Sequence, residues 1–108
     1  MRYLLMLCGT AGDPAVTTDI TEPCRAWEEE MTRRGLRADG MGLHPPDSAT
    51  TVRVRGGEAL LTDGPFAETK EQIGGINILE CDSREQAVEA AKSHPWAAIG
   101  TIEVRELL

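Results

Sequence analysis

Aromatic side chains are scarce: one Phe, one Tyr and two Trp supply 4% of the 108 residues. The core must therefore be filled by aliphatic residues and alanine, leaving few flat surfaces on which bases or sugars could stack. Positive charge is also short. Eleven Lys and Arg face eighteen Asp and Glu, a net charge of -7, so direct nucleic-acid binding is not expected. The three cysteines, Cys8, Cys24 and Cys81, are odd in number and form no C-x-x-C pair. That excludes a disulfide framework and points to a reducing cytoplasm. Long apolar runs are missing too: "MRYLLMLCG" is too short for a secretion signal or a membrane span and reads as a buried strand. No metal-ligand spacing, G-x-G-x-x-G loop or G-x-S-x-G elbow occurs, so neither a metal nor a familiar cofactor is expected.

What remains is an ordinary globular composition, 41% hydrophobic and 27% charged, at the length of a single domain spanning residues 1–108. "RYLLMLC" is apolar on both strand faces, and the breakers from Gly9 to Pro14 end it. From Thr21 to Arg34, Cys24, Trp27 and Met31 recur at spacings of three and four between charged residues, which predicts an amphipathic helix capped by Thr21 and stopped at Gly35. "LRADGMGL" is a looser strand ending at His44, Pro45 and Pro46. "TTVRVRGGEALLTDG" predicts a hairpin turning at Gly56-Gly57. "GGINILEC" follows as a strand, then a helix opened by the capping box of Ser83 and Gln86 and closed at Pro95, and finally the strand "GTIEVREL". This order is the split βαβ pattern of a ferredoxin-like α+β fold with an inserted hairpin. Two helices cover one sheet face only, so the other face predicts a symmetric homodimer packed sheet to sheet.

Candidate chemistry is sparse. His44 closes a strand beside two prolines, where an imidazole that titrates near neutrality could move protons at a pocket mouth; the alternative is a surface or hydrogen-bonded histidine. Asp63 opens "DGPFAETKE" and either caps the turn or serves as a general base or as the orienter of a histidine. Gly64 before Pro65 gives that turn its freedom of backbone angle. Phe66 is a satellite core anchor or an apolar cavity wall. Arg53 and Arg55, at period two, form a solvated hairpin face or a binding surface for an acidic ligand, and Lys70 lies in a charged loop where it could meet a substrate anion. His94 sits where a helix dipole would favour it, and Trp27 and Trp96 are expected to be packed.

The stretch "TTVRVRGGEALLTDGPFAETKEQIGG", with "DSREQAVEAAKSHP" and the terminal "GTIEVREL", resembles the DGPF-domain branch of the YCII-related family over nearly the whole chain. The resemblance implies a ferredoxin-like fold that forms homodimeric α/β barrels with a cavity between sheet and loops. Similarity to muconolactone-isomerase-like dimeric barrels further implies chemistry on a small, polar or acidic organic molecule, of isomerase, lyase or cyclase type and without a cofactor. Relatives have a proposed catalytic His-Asp pair whose histidine lies on the first helix; Thr21 to Arg34 contains none, so that role has no matching position here. His44 with Asp63 is the substitute pair expected if both face one cavity. Association of DGPF-domain proteins with extracytoplasmic-function sigma factors implies the other class, a non-catalytic accessory regulator without DNA contact.

Overall fold

A computed structural model describes residues 1–10, 13, 19–67 and 70–108. Pro14, among the breakers expected after the first strand, and Glu68 of the charged loop lie outside the described residues. Strand β1 (Arg2–Thr10) is followed by helix α1 (Thr21–Arg33), β2 (Arg37–Gly42), the hairpin strands β3 (Thr50–Arg55) and β4 (Glu58–Asp63), β5 (Glu71–Glu80), helix α2 (Arg84–Lys92) and β6 (Thr101–Glu106). One antiparallel sheet runs β2-β5-β1-β6, and β3 and β4 pair only with each other in a second sheet. The central strands are β1 and β5, the two most apolar segments, and the expected α+β order with an inserted hairpin is present.

The helix-facing side of the sheet alternates strictly. Tyr3, Leu5 and Leu7 of β1 are buried, as are Gly75, Asn77 and Leu79 of β5. Trp27, Met31, Leu36 and the α2 alanines Ala87, Ala90 and Ala91 close this core, with Ala38, Ile102 and Val104 packed against it. Small residues on α2 let that helix approach closely, in the place of the missing aromatics. Trp27 joins the two helices: its indole N–H donates to the Ala90 carbonyl at 3.0 Å and to the Ser93 hydroxyl at 3.2 Å.

Helix ends differ in how well their sequence announced them. Ser83 caps α2, accepting from the Gln86 N–H at 3.1 Å, while the Gln86 side chain reaches back to the Asp82 N–H at 2.7 Å. This is the expected box shifted by one residue on its return arm. For α1 the expected cap is corrected: Thr21 is the first helical residue, and Asp19 accepts from its N–H at 3.0 Å and from its hydroxyl at 2.7 Å. The shorter Asp side chain, two positions upstream, satisfies a donor that Thr21 cannot satisfy on itself.

Among the described residues no element covers the opposite sheet face. Leu4, Met6 and Cys8 of β1 and Ile76 and Ile78 of β5 are half-buried by one another, and Ile73 is exposed. The molecule is 18 Å in its shortest dimension, about the depth of one helix layer on one sheet. Its radius of gyration, 15.6 Å, exceeds the roughly 13 Å of a compact chain this long. The hairpin accounts for this shape, since its most covered residue, Thr51, is only half-buried. Val52, Leu61, Val54 and Ala59 pair across its two strands and form one apolar, solvent-facing surface.

Candidate functional site

The strand β1–β5 register slips between Leu7 and Cys8, leaving Gly74 as an extra residue on β5. Such a bulge bends its strand and spreads the backbone locally. Here Gly74 and Gly75 line a cavity of about 570 Å³ between the first half of α1 and the β2/β5 side of the sheet. Leu7, Ile20 and Leu43 are its apolar lining, the strands bring Met41 and Ile76 to its edge with their side chains on the opposite sheet face, and its polar groups are Asp19, Thr21, Cys24, Arg25, Glu28 and Asn77. That volume falls in the range that holds a small organic ligand, and a wall of mixed apolar and polar groups suits a polar one.

A buried hydrogen-bond chain ends at this cavity. The main-chain N–H of Trp96 donates to His94 Nδ1 at 3.0 Å, which puts the imidazole proton on Nε2. Nε2–H faces Asn77 Oδ1 at 3.1 Å, and Asn77 Nδ2 donates to Glu28 Oε1 at 3.3 Å. His94 is 2% exposed and Asn77 3%, whereas Glu28 is half-buried at the cavity wall. Every link donates in one direction, from the peptide of Trp96 toward the carboxylate. Burial drives the His94 pKa down from 6.5 to about 4, so the ring is neutral at pH 7 and free to accept at Nδ1. The Trp27 ring flanks it with centroids 4.5 Å apart.

Glycine makes the last link possible. Gly40 of β2 lies directly opposite Asn77 of β5, and a Cβ there would collide with both Asn77 Nδ2 and Glu28 Oε1. Burial, and secondarily the Glu28 charge, push the thiol pKa of Cys24, one turn before Glu28, up, which disfavours its thiolate. Burial likewise raises Cys8 and Cys81, and all three thiols are free. Among the described residues no cluster of His, Cys, Asp and Glu has the geometry to hold a metal ion.

The residues singled out from the sequence lie elsewhere. His44 is exposed and, with Pro45, Pro46 and Pro65, lines a second, apolar groove of about 320 Å³ that shares Leu43 with the larger cavity. Asp63 is exposed at the end of β4, lines neither cavity, and has no hydrogen bond to His44. Phe66, 79% exposed, anchors no core within the protomer. Arg53, Arg55 and Lys70 are exposed as well, and none lines either cavity. The DGPF turn itself is well built: Gly64 holds a φ of +94°, its N–H donates to the Ala49 carbonyl at 2.7 Å, and its carbonyl accepts from the Thr51 hydroxyl at 2.8 Å. Glycine is favoured there for its positive φ.

The sequence reading missed His94, Asn77 and Glu28. His94 was assigned a helix-dipole contact, but its ring points into the core. Asn77 carried a usable signal, because it occupies a buried-register position in an otherwise apolar strand. So did Glu28, which sits four residues after Cys24 on the stripe that α1 turns inward.

No helix among the described residues is long and apolar enough to cross a membrane. A model of the YCII-related domain matches residues 1–108. An uncharacterized protein of Rhizobium meliloti (strain 1021) is 42% identical, over 76% of this chain and 80% of that protein.

Proposed function

Since the chain belongs to the YCII-related domain family, we propose that it works as a cytoplasmic homodimer that binds a small polar organic molecule and transfers a proton on it, in an isomerase, lyase or cyclase type of reaction. The observation that carries this reading is the cavity of about 570 Å³, where a buried hydrogen-bond chain aims the Glu28 carboxylate at a wall of mixed apolar and polar groups. Fixed polar groups in a desolvated pocket are what small-molecule recognition and proton transfer require. The uncovered apolar sheet face supports the dimer, and the three free cysteines support the cytoplasm. The motif "DGPFAETKE" supports placing the chain in the DGPF branch.

The hairpin residues Arg53, Arg55, Phe66 and Lys70 serve a ligand only by reaching a second copy, because in their own protomer they face solvent. His44 with Asp63 stands as a second acid-base site, favoured by the groove that His44 shares with Pro65 of the DGPF turn. The accessory-regulator reading draws on the same exposed hairpin, whose apolar surface of Val52, Val54 and Leu61 would suit a sigma factor.

Gly42 separates these readings. It lines the large cavity, and a Cβ added there meets nothing within 4 Å, so Gly42→Phe is the variant expected to obstruct the cavity. In a thermal-shift screen of small organic acids, lactones, alcohols and amines, a compound that stabilises the wild type should lose its effect on Gly42→Phe and keep it on His44→Ala and Asp63→Asn. Loss in the His44 and Asp63 variants with retention in Gly42→Phe would move the site to the second groove.

A further inference from the structure

The charges around the large cavity do not balance. Arg25, the one cation that lines it among the described residues, is already paired with Glu22 on the surface of α1. Asp19 and Glu28, the two carboxylates that line it, have no cationic partner among the described residues. Asp19 is held by two donors from Thr21, which lower its pKa. Glu28 accepts one bond from Asn77 on Oε1, the only hydrogen bond its carboxylate makes among the described residues. A carboxylate takes up to four donors, so the chain from Trp96 through His94 and Asn77 aims Glu28 without saturating it. Building such a chain requires a buried amide, a buried neutral imidazole and a strand glycine without a Cβ.

We propose that Glu28, aimed by the positioning residues Asn77 and His94, is the recognition point for the ammonium group of a small primary amine, whose aliphatic part lies against Leu7, Ile20 and Leu43. This rests on the cavity being the ligand site and adds the chemical class of the ligand. An ammonium group supplies the donors that the carboxylate lacks and the charge that balances it, at short range and away from bulk water. An anionic ligand would face two carboxylates and would have to displace Glu22 from Arg25.

Three four-carbon probes of equal shape decide it: n-butylammonium, n-butanol and butyrate, each titrated against the ¹⁵N-labelled chain. The expected result is that n-butylammonium shifts the Asn77 side-chain amide and the main-chain amides of Ile76 and Met41, weakens with added salt, and binds at least about tenfold tighter than the other two. Glu28→Gln keeps an oxygen for Asn77 but removes the charge, so it should abolish both the preference and its salt dependence at an unchanged melting temperature. Gly40→Ala, whose Cβ collides with both Asn77 Nδ2 and Glu28 Oε1, should weaken the amine and lower the melting temperature as well. Butyrate binding that Gly42→Phe blocks would overturn the amine assignment and leave the cavity reading standing. Equal binding of all three to wild type and Gly42→Phe would overturn both.

Discussion

Met6→Lys should turn the proposed homodimer into a monomer. Met6 is at the centre of the uncovered sheet face, between Ile76 of β5 and Glu103 of β6. In a free protomer the new ammonium reaches water and has Glu103 directly opposite, so the fold tolerates it. In a sheet-to-sheet dimer the same ammonium is buried against apolar Leu4, Ile76 and Ile78 of the second copy. Burying the ammonium together with Glu103 costs several kcal/mol of desolvation, which weakens association by about a hundredfold or more. Light scattering after size exclusion should give twice the 11.7 kDa chain mass for the wild type and the single mass for Met6→Lys, with unchanged far-UV circular dichroism. A wild type that runs as a monomer and forms a complex only with a co-expressed sigma factor would instead favour the accessory-regulator reading.

His94→Leu should cost about 2–5 kcal/mol at pH 7. It orphans two groups that have no access to water, the Trp96 N–H and Asn77 Oδ1, and each lost bond of this kind costs roughly 1–3 kcal/mol. The gap should narrow as the pH falls. The His94 pKa is depressed from 6.5 to about 4 in the folded chain, so between those values the unfolded chain binds a proton that the folded chain refuses. Stability linked to His94 is therefore complete above pH 6.5, falls as the pH drops toward 4, and is lost below it. The leucine variant lacks this component. Urea unfolding at pH 7 and pH 4.5 measures it, and a gap that stays constant or widens in acid would contradict a buried, neutral His94.

Much of the fold was legible in the sequence because local signals and burial agree. The apolar runs "RYLLMLC" and "GGINILE" announce the two central strands, whose burial alternates because helices cover only one of their two apolar faces, and Ser83 with Gln86 starts α2 where the pattern changes period. The α1 cap was less legible, since Asp19 acts from outside the periodic segment. The large cavity was not legible at all. It depends on a bulge at Gly74 and on three side chains 17 and 49 residues apart in sequence, and no spacing rule links Glu28 to Asn77 or Asn77 to His94. The sequence drew attention to His44 and Asp63 because prolines and a turn surround them. Turn chemistry announces backbone shape, which Gly64 does adopt, but says little about which side chains share a cavity.

The most direct test of the account is a map of main-chain amide shifts for whichever small molecule stabilises the wild type in the thermal-shift screen. The account predicts that the largest changes fall on Ile20, Cys24, Glu28, Met41, Gly42, Ile76 and Asn77, around the cavity between α1 and the β2/β5 side of the sheet. Changes centred on His44, Asp63 and Phe66, with the α1 and β5 amides unmoved, would contradict it.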